Sequence, residues 1–282
     1  MANEHDHRPS TTGERGGHLA RLGCPIHYWD DGDVHGPTVV CTHGVTLDHG
    51  TYAAQVPALR EAGYRVITWD LRGHGLSRPK GDDFNIRVSA DDLHALLGAL
   101  GIETAVLVGQ SFGGAVIQAY QQLYPRRVTG LVLVGTPELG DRPPWHQRLS
   151  MPTRPLILRL WPERHLRGVI PGFMSKRPEV QAYVAQATRA LSKADFVAVT
   201  EAALESFFGY ERGSGPLPPT LVTYGDDETA WLADMMQAWA SRSPQVTCEA
   251  IAGAGHLANQ DNPQAFNQAL LRFLQSHLGA EP

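Results

Sequence analysis

The 282-residue sequence predicts an α/β fold: a mostly parallel sheet with helices packed on both faces. Two observations carry that prediction. Six short runs, PTVVCTH (37–43), YRVITWD (64–70), AVLVG (105–109), LVLVG (131–135), TLVTYG (220–225) and TCEAIAG (247–253), are apolar at nearly every position and do not alternate. A strand covered above and below by helices needs that pattern, because neither face meets water. Helical periodicity separates several of the runs, and such alternation gives right-handed crossovers between parallel strands.

Each element has a local cause. In SADDLHALLGALG (89–101), Ser89 is placed to cap a first turn and Asp91 and Asp92 stand where the helix dipole favours anions. Leu93, Leu96, Leu97 and Leu100 then form one stripe, and Gly101 stops it. NPQAFNQALLRFL (262–274) opens with Asn262 as cap and Pro263 at the first helical position, and sets Phe266, Ala269, Leu270 and Phe273 on one face. After Thr229, Leu232, Met235, Met236 and Trp239 make a third stripe, read as core packing.

One interval breaks the rhythm. Between Thr136 and Pro218 only Pro-punctuated helical pieces occur, such as EVQAYVAQATRAL (179–191) and ADFVAVTEAALESFF (194–208). A loop of roughly eighty residues has no place in a compact domain. Residues 138–216 are therefore expected to form a helical cap inserted into a core made of 17–137 and 217–282, behind a disordered tail over 1–16.

Composition bounds the function. The chain is 42% apolar and 19% charged, as in an ordinary soluble globular protein. Its net charge of −5 argues against a nucleic-acid or anionic-membrane surface. Cys24, Cys41 and Cys248 are odd in number and widely spaced, so no disulfide framework is read and free thiols are expected. The opening MANEHDHRPSTTGERGG has no apolar segment of the secretory kind, which leads to the expectation of a cytoplasmic protein. His5 and His7 beside Asp6 are read as part of the polar tail, not as a metal site.

The chemistry starts at GQSFGG. Gly109-Gln110-Ser111-Phe112-Gly113 matches G-x-S-x-G, with a buried strand before it and a helix ending ahead of Pro125 after it. Small residues two before and two after the serine let backbones pass closely, so that the hydroxyl projects from a sharp, strained turn. A serine at its ordinary pKa is a poor nucleophile and needs a base. Of thirteen histidines, His256 in AGAGHLANQDNP follows the last apolar run and precedes the last helix, at the carboxyl edge of the sheet where open α/β sheets bind ligands. The main-chain N–H groups of Phe112 and of Val45, in CTHGVTL, are the expected oxyanion donors.

The motifs HGV, WDLRGHGLS, GQSFGG, YGDDE and GAGH occur in the order and spacing of the α/β-hydrolase fold superfamily, and the chain resembles its serine-esterase and lactonase-like members with a helical lid. The resemblance covers about residues 17 to 278. It implies an eight-stranded, mainly parallel sheet and a triad in chain order serine, acid, histidine. It also implies a structural role for His74 in the loop DLRGHGLS. The family's acid stands three positions after the glycine ending the penultimate strand. Counting from Gly225 reaches Glu228, where related sequences mostly carry Asp, so Glu228 ranks first, Asp227 second and Glu138, after LVLVGT, third. Asp226 is expected to support the turn.

These readings converge on cleavage of a carboxylic ester, thioester or lactone through an acyl-enzyme on Ser111, with His256 as base and Glu228 (alternative Asp227) as its acid. Serine at 111, where halide- and epoxide-opening relatives place Asp, argues against those two activities. C–C bond hydrolysis, lyase or cyclase chemistry on the same groups, or ligand binding without turnover, are the alternatives. No cofactor or metal is expected. The expected partner is an apolar small-molecule substrate met by Trp145, Trp161, Phe173, Phe207 and Phe208 of the cap, with no nucleic acid and no membrane. Oligomeric state is left open.

Overall fold

The computed structural model describes residues 15–150, 153–211, 213 and 215–278. His5, His7 and nearly all of the expected tail lie outside the described residues. The first strand, β1 (Arg15–Arg21), begins inside the stretch assigned to the tail, which corrects that boundary. The cause is pairing: β1 runs antiparallel to β2 (Cys24–Asp31) in register from Arg15 opposite Asp30, and the Arg15 guanidinium donates to Asp30 Oδ1 at 3.3 Å.

The remaining strands are β3 (Thr38–Thr42), β4 (Arg65–Trp69), β5 (Ala105–Gln110), β6 (Val128–Val134), β7 (Thr220–Gly225) and β8 (Val246–Ile251). They form one eight-stranded sheet in the order β1-β2-β4-β3-β5-β6-β7-β8, antiparallel through β2 and parallel from β4 onward. The apolar runs thus occupy the parallel part; those of β3 to β7 are largely buried on both faces, while β8, at the sheet edge, leaves Thr247 and Ala250 exposed.

Alternate strand residues feed two separate cores. Val40, Ile67, Leu107, Leu131 and Val222 face one side, and Val39, Val66, Val106, Val132 and Leu221 face the other. The helices follow in chain order: α1 (Gln55–Glu61), α2 (Ile86–Ala99), α3 (Phe112–Leu123), α4 (Trp145–Ser150), α5 (Arg154–Leu160), α6 (Glu163–Met174), α7 (Pro178–Arg189), α8 (Lys193–Gly209), α9 (Ala230–Arg242), α10 (Ala258–Asp261) and α11 (Pro263–Leu278). Leu93, Leu96 and Leu97 of α2, with Met236 and Trp239 of α9, fill the first core. Leu59 of α1, with Phe266, Leu270 and Phe273 of α11, fills the second. The stretch between β6 and β7 holds α4 to α8, and no strand among its described residues.

The start of α2 differs from the expectation at Ser89. Asn85 takes the cap, its side chain accepting from Val88 N–H at 2.9 Å, and Ser89 is a buried residue of the second turn. An extended Asn whose carbonyl oxygen reaches the third N–H satisfies an otherwise orphaned donor, so the helix begins a turn earlier. At the far end α11 begins as its cap residues require, with Asn262 Oδ1 accepting from Ala265 N–H at 3.2 Å.

Beneath the site, one buried ion pair ties the loop after β4 to α2. Arg72 and Asp92 are both fully buried and meet bidentately, Nε to Oδ2 at 2.6 Å and Nη2 to Oδ1 at 2.7 Å. The guanidinium also donates to the carbonyls of Lys80 and Asp83. Removing one partner strands a charge in the interior. Asp92→Ala is therefore expected to cost about 3–5 kcal/mol, read as a lowered urea midpoint at unchanged slope.

Candidate active site

Every residue of the site lies at the carboxyl ends of the parallel strands. Ser111 joins β5 to α3 with φ 51° and ψ −118°, a conformation that L-residues avoid and that costs about 1–3 kcal/mol. Its surroundings over-determine it. The Ser111 amide donates to the Val134 carbonyl at 2.9 Å, and its own carbonyl accepts from Ala115 N–H at 3.2 Å. The Thr136 hydroxyl, 3.0 Å from both the Ser111 and Val134 carbonyls, shares its one proton between them.

The flanking glycines are steric necessities. A Cβ on Gly113 would stand 2.2 Å from the Thr42 carbonyl oxygen, and one on Gly109 would stand 2.6 Å from the Gly113 carbonyl oxygen. Both neighbours are main chain and have nowhere to go. This is the physical content of the small residues two before and two after the serine.

His256 follows β8, and its main-chain carbonyl accepts from Gln110 Nε2 at 3.2 Å, so the residue next to the serine holds the histidine loop. The imidazole Nδ1 donates to Glu228 Oε2 at 2.7 Å, and Glu228 Oε1 accepts from Thr229 N–H at 2.8 Å. Both side chains are largely buried, 10% and 3% exposed. Of the three acids considered for this contact, Glu228 is the one that makes it. Asp227 is exposed, with its amide on the Ala254 carbonyl, and Glu138 pairs with Arg242 at 2.5 Å. Asp226 accepts from Ala254 N–H at 3.1 Å, which joins the acid loop to the histidine loop.

Charge reinforces the pair. Burial lowers the His256 pKa, but the Glu228 charge and hydrogen bond outweigh it and leave the imidazole above its ordinary 6.5. Burial likewise raises Glu228, and the His256 charge and hydrogen bond, helped by Thr229, pull it below 4.5. An acceptor on Nδ1 puts the neutral ring's proton there and leaves Nε2 as the basic atom.

The loop after β3 carries Gly44 and Val45, with a positive φ of 66° at the next residue, Thr46. His43 anchors it: Nδ1 donates to the Gly44 carbonyl at 2.7 Å while Nε2 accepts from Leu71 N–H at 2.9 Å. Burial pushes His43 down to about 4, so the ring is neutral and able to play both parts. A Cβ on Gly44 would lie 2.1 Å from Gln110 Oε1, which brings this loop against the residue preceding Ser111. His74 is fully buried, with Nδ1 on the Arg72 carbonyl at 2.9 Å, and burial drives it down to about 3, which suits a structural part and not that of a base.

The sequence reading passed over three supports. His43 and Gln110 are two; the third is Asp261, whose Oδ2 accepts from Gly255 N–H at 2.7 Å while Oδ1 accepts from the Ser175 hydroxyl at the end of α6. Leu257 N–H also reaches the Met174 carbonyl at 3.2 Å. Asp261 stands five positions after His256, a spacing that puts a carboxylate back onto the loop's own amides, and that was the available signal. The aromatic residues between β6 and β7 divide. The Phe173 ring lies 6.4 Å from His256, Phe207 packs half-buried on the first core, and Trp145 and Trp161 are exposed. Of Phe208 only the helical backbone is described.

A mixed sheet with this strand order, its polar residues gathered at the ends of β3, β5, β7 and β8, defines a doubly covered α/β protein with its site on the crossover edge. A model of the α/β hydrolase fold family matches residues 37–263, and the chain belongs to that family. It is 24% identical to 3-oxoadipate enol-lactonase 2 of Acinetobacter baylyi, over 87% of this chain and 91% of that one. It is 31% identical to bifunctional epoxide hydrolase 2 of Sus scrofa over 44% of this chain, but spans only 22% of that protein's length. Among solved structures, a thermophilic esterase from Thermogutta terrifontis superposes with a TM-score of 0.77 at 26% identity, covering 94% of this chain and all of that one.

Because His256 sits above 6.5 through Glu228, the pair adds stability below the unfolded value and loses it as pH rises through the folded one. Glu228→Gln keeps the burial and removes the charge. An NMR titration of the imidazole is expected to give a midpoint above 6.5 in the native protein and below it in the variant.

Proposed function

We propose that the chain is a serine hydrolase that cleaves a carboxylic ester, thioester or lactone. The observation that carries this reading is the strained Ser111 turn beside a His256–Glu228 pair whose acid pins the histidine proton on Nδ1. Ser111 Oγ attacks the carbonyl carbon and His256 Nε2 takes the hydroxyl proton. The N–H groups of Val45 and Phe112 receive the negative oxygen; losing one such donor costs roughly 10²–10³ in rate. His256 then gives its proton to the leaving alcohol, thiol or ring oxygen. Water, deprotonated by the same nitrogen, attacks the acyl-enzyme and releases the acid and Ser111. Glu228 orients the ring and balances the imidazolium without accepting the proton.

The helices between β6 and β7 serve as the cap in this reading, with Phe173 lying beside His256 and offering its ring to an apolar acyl group. The similarity to an enol-lactonase over most of both chains supports ester or lactone chemistry. No metal or organic cofactor enters any step.

The test uses short p-nitrophenyl esters, a panel of lactones and a fluorophosphonate probe. The native protein is expected to label at Ser111 and turn over at least one ester or lactone, and Ser111→Ala to do neither. Glu228→Gln is expected to lower kcat by about 10³–10⁴, with Asp227→Asn near native. A protein that neither labels nor hydrolyses any of these compounds overturns the reading.

A further inference from the structure

We propose that the helices over residues 145–177 form a docking face for an anionic lipid surface. Three consecutive helices each expose apolar side chains one turn apart. In α4 these are Trp145 and Leu149, 72% and 71% exposed. In α5 they are Leu156 and Leu160, with Ile157 and Trp161 beside them, and in α6 Val169 and Phe173. Helices that bury one face inside a protein turn such residues inward; here Leu158, Leu166 and Ile170 take the inner positions and the outer apolar side chains are left in solvent.

Charge chooses the occupant. Residues 142–177 contain eight Arg and Lys against one acid, Glu163, in a chain whose total is −5. Glu163 is already taken by Arg167, one turn away. Arg142, Arg148, Arg164, Lys176 and Arg177 are exposed. The chain-wide charge that argued against a membrane averages over this segment and hides its sign. Apolar side chains interleaved with arginines suit helices lying flat at a lipid interface, with the aliphatic and indole groups among the acyl chains and the cations at the phosphates. A second copy docked face to face would set arginine against arginine. No helix among the described residues is long and apolar enough to cross a membrane, so the contact is peripheral.

Phe173 belongs both to this face and to the surroundings of His256, with ring centroids 6.4 Å apart. If the hydrolase reading holds, an acyl ester dissolved in the lipid reaches the site edge without crossing water. Docking itself does not depend on that reading.

The experiment is co-sedimentation with phosphatidylglycerol or phosphatidylcholine vesicles at low salt, with tryptophan emission recorded in parallel and fluorophosphonate labelling of each protein without vesicles. The native protein is expected to partition onto phosphatidylglycerol with blue-shifted emission, and about tenfold or more weakly onto phosphatidylcholine. Arg148→Glu with Arg164→Glu, and separately Leu149→Asp with Leu160→Asp, are each expected to lower partition about tenfold or more, with labelling unchanged. Absence of partition onto phosphatidylglycerol overturns the proposal, as does equal partition of native and both double variants. Self-association abolished by the same substitutions, without vesicle binding, assigns the face to a second copy instead. Labelling lost in the native protein while partition persists overturns the hydrolase reading alone.

Discussion

The structure turns on how closely one stretch of backbone passes another at the end of β5. The carbonyls of Thr42 and His43 lie where a side chain on Gly113 would be, and the Gly113 carbonyl lies where one on Gly109 would be. That approach forces the chain to reverse within a single residue, and Ser111 takes the unfavourable dihedrals. The strain persists because the cost is spread over bonds to Val134, Thr136 and Ala115 and over a helix, α3, buried almost all round. Relaxing the turn would break several of these together, which is how a locally disfavoured geometry survives in a folded chain.

The other loops are fastened to that turn and to each other, not merely placed near it. Gln110 holds the His256 carbonyl, Asp226 holds Ala254, and His43 binds the β3 loop to Leu71. Asp261 extends the fastening to the helices between β6 and β7, since its carboxylate receives both Gly255 N–H and the Ser175 hydroxyl. The end of α6 is thereby tied to the residue next to His256 through two hydrogen bonds.

How much of this could be read in the residues alone depended on the range of the forces involved. The parallel strands were legible because burial on both faces leaves an uninterrupted apolar run, as in Val39-Val40-Cys41. The β1–β2 hairpin was not: β1 lies at the sheet edge with polar and glycine residues in water, so RGGHLAR carries no hydrophobic signal. The start of α2 was placed a turn late because Ser89 and Asn85 are both good caps, and tertiary packing buries Ser89. Ser111 was legible because its glycines answer a local steric demand. Gln110–His256, separated by 146 positions, answers a distant one and left no trace in spacing. Ranking Glu228 above Asp227 rested on counting along one loop, with Glu138 after β6 set third, and the hydrogen-bond geometry singles out Glu228.

Glu228 carries one methylene more than an aspartate would, and with it another rotatable bond. A longer arm ordinarily aims less well, since each free torsion spreads the carboxylate over more positions. Here the arm is braced at its tip: one oxygen takes the Thr229 amide and the other the imidazole. The added reach comes without added play. An aspartate on the same backbone would end one carbon earlier, with its oxygens displaced from the positions that meet the Thr229 amide and the imidazole.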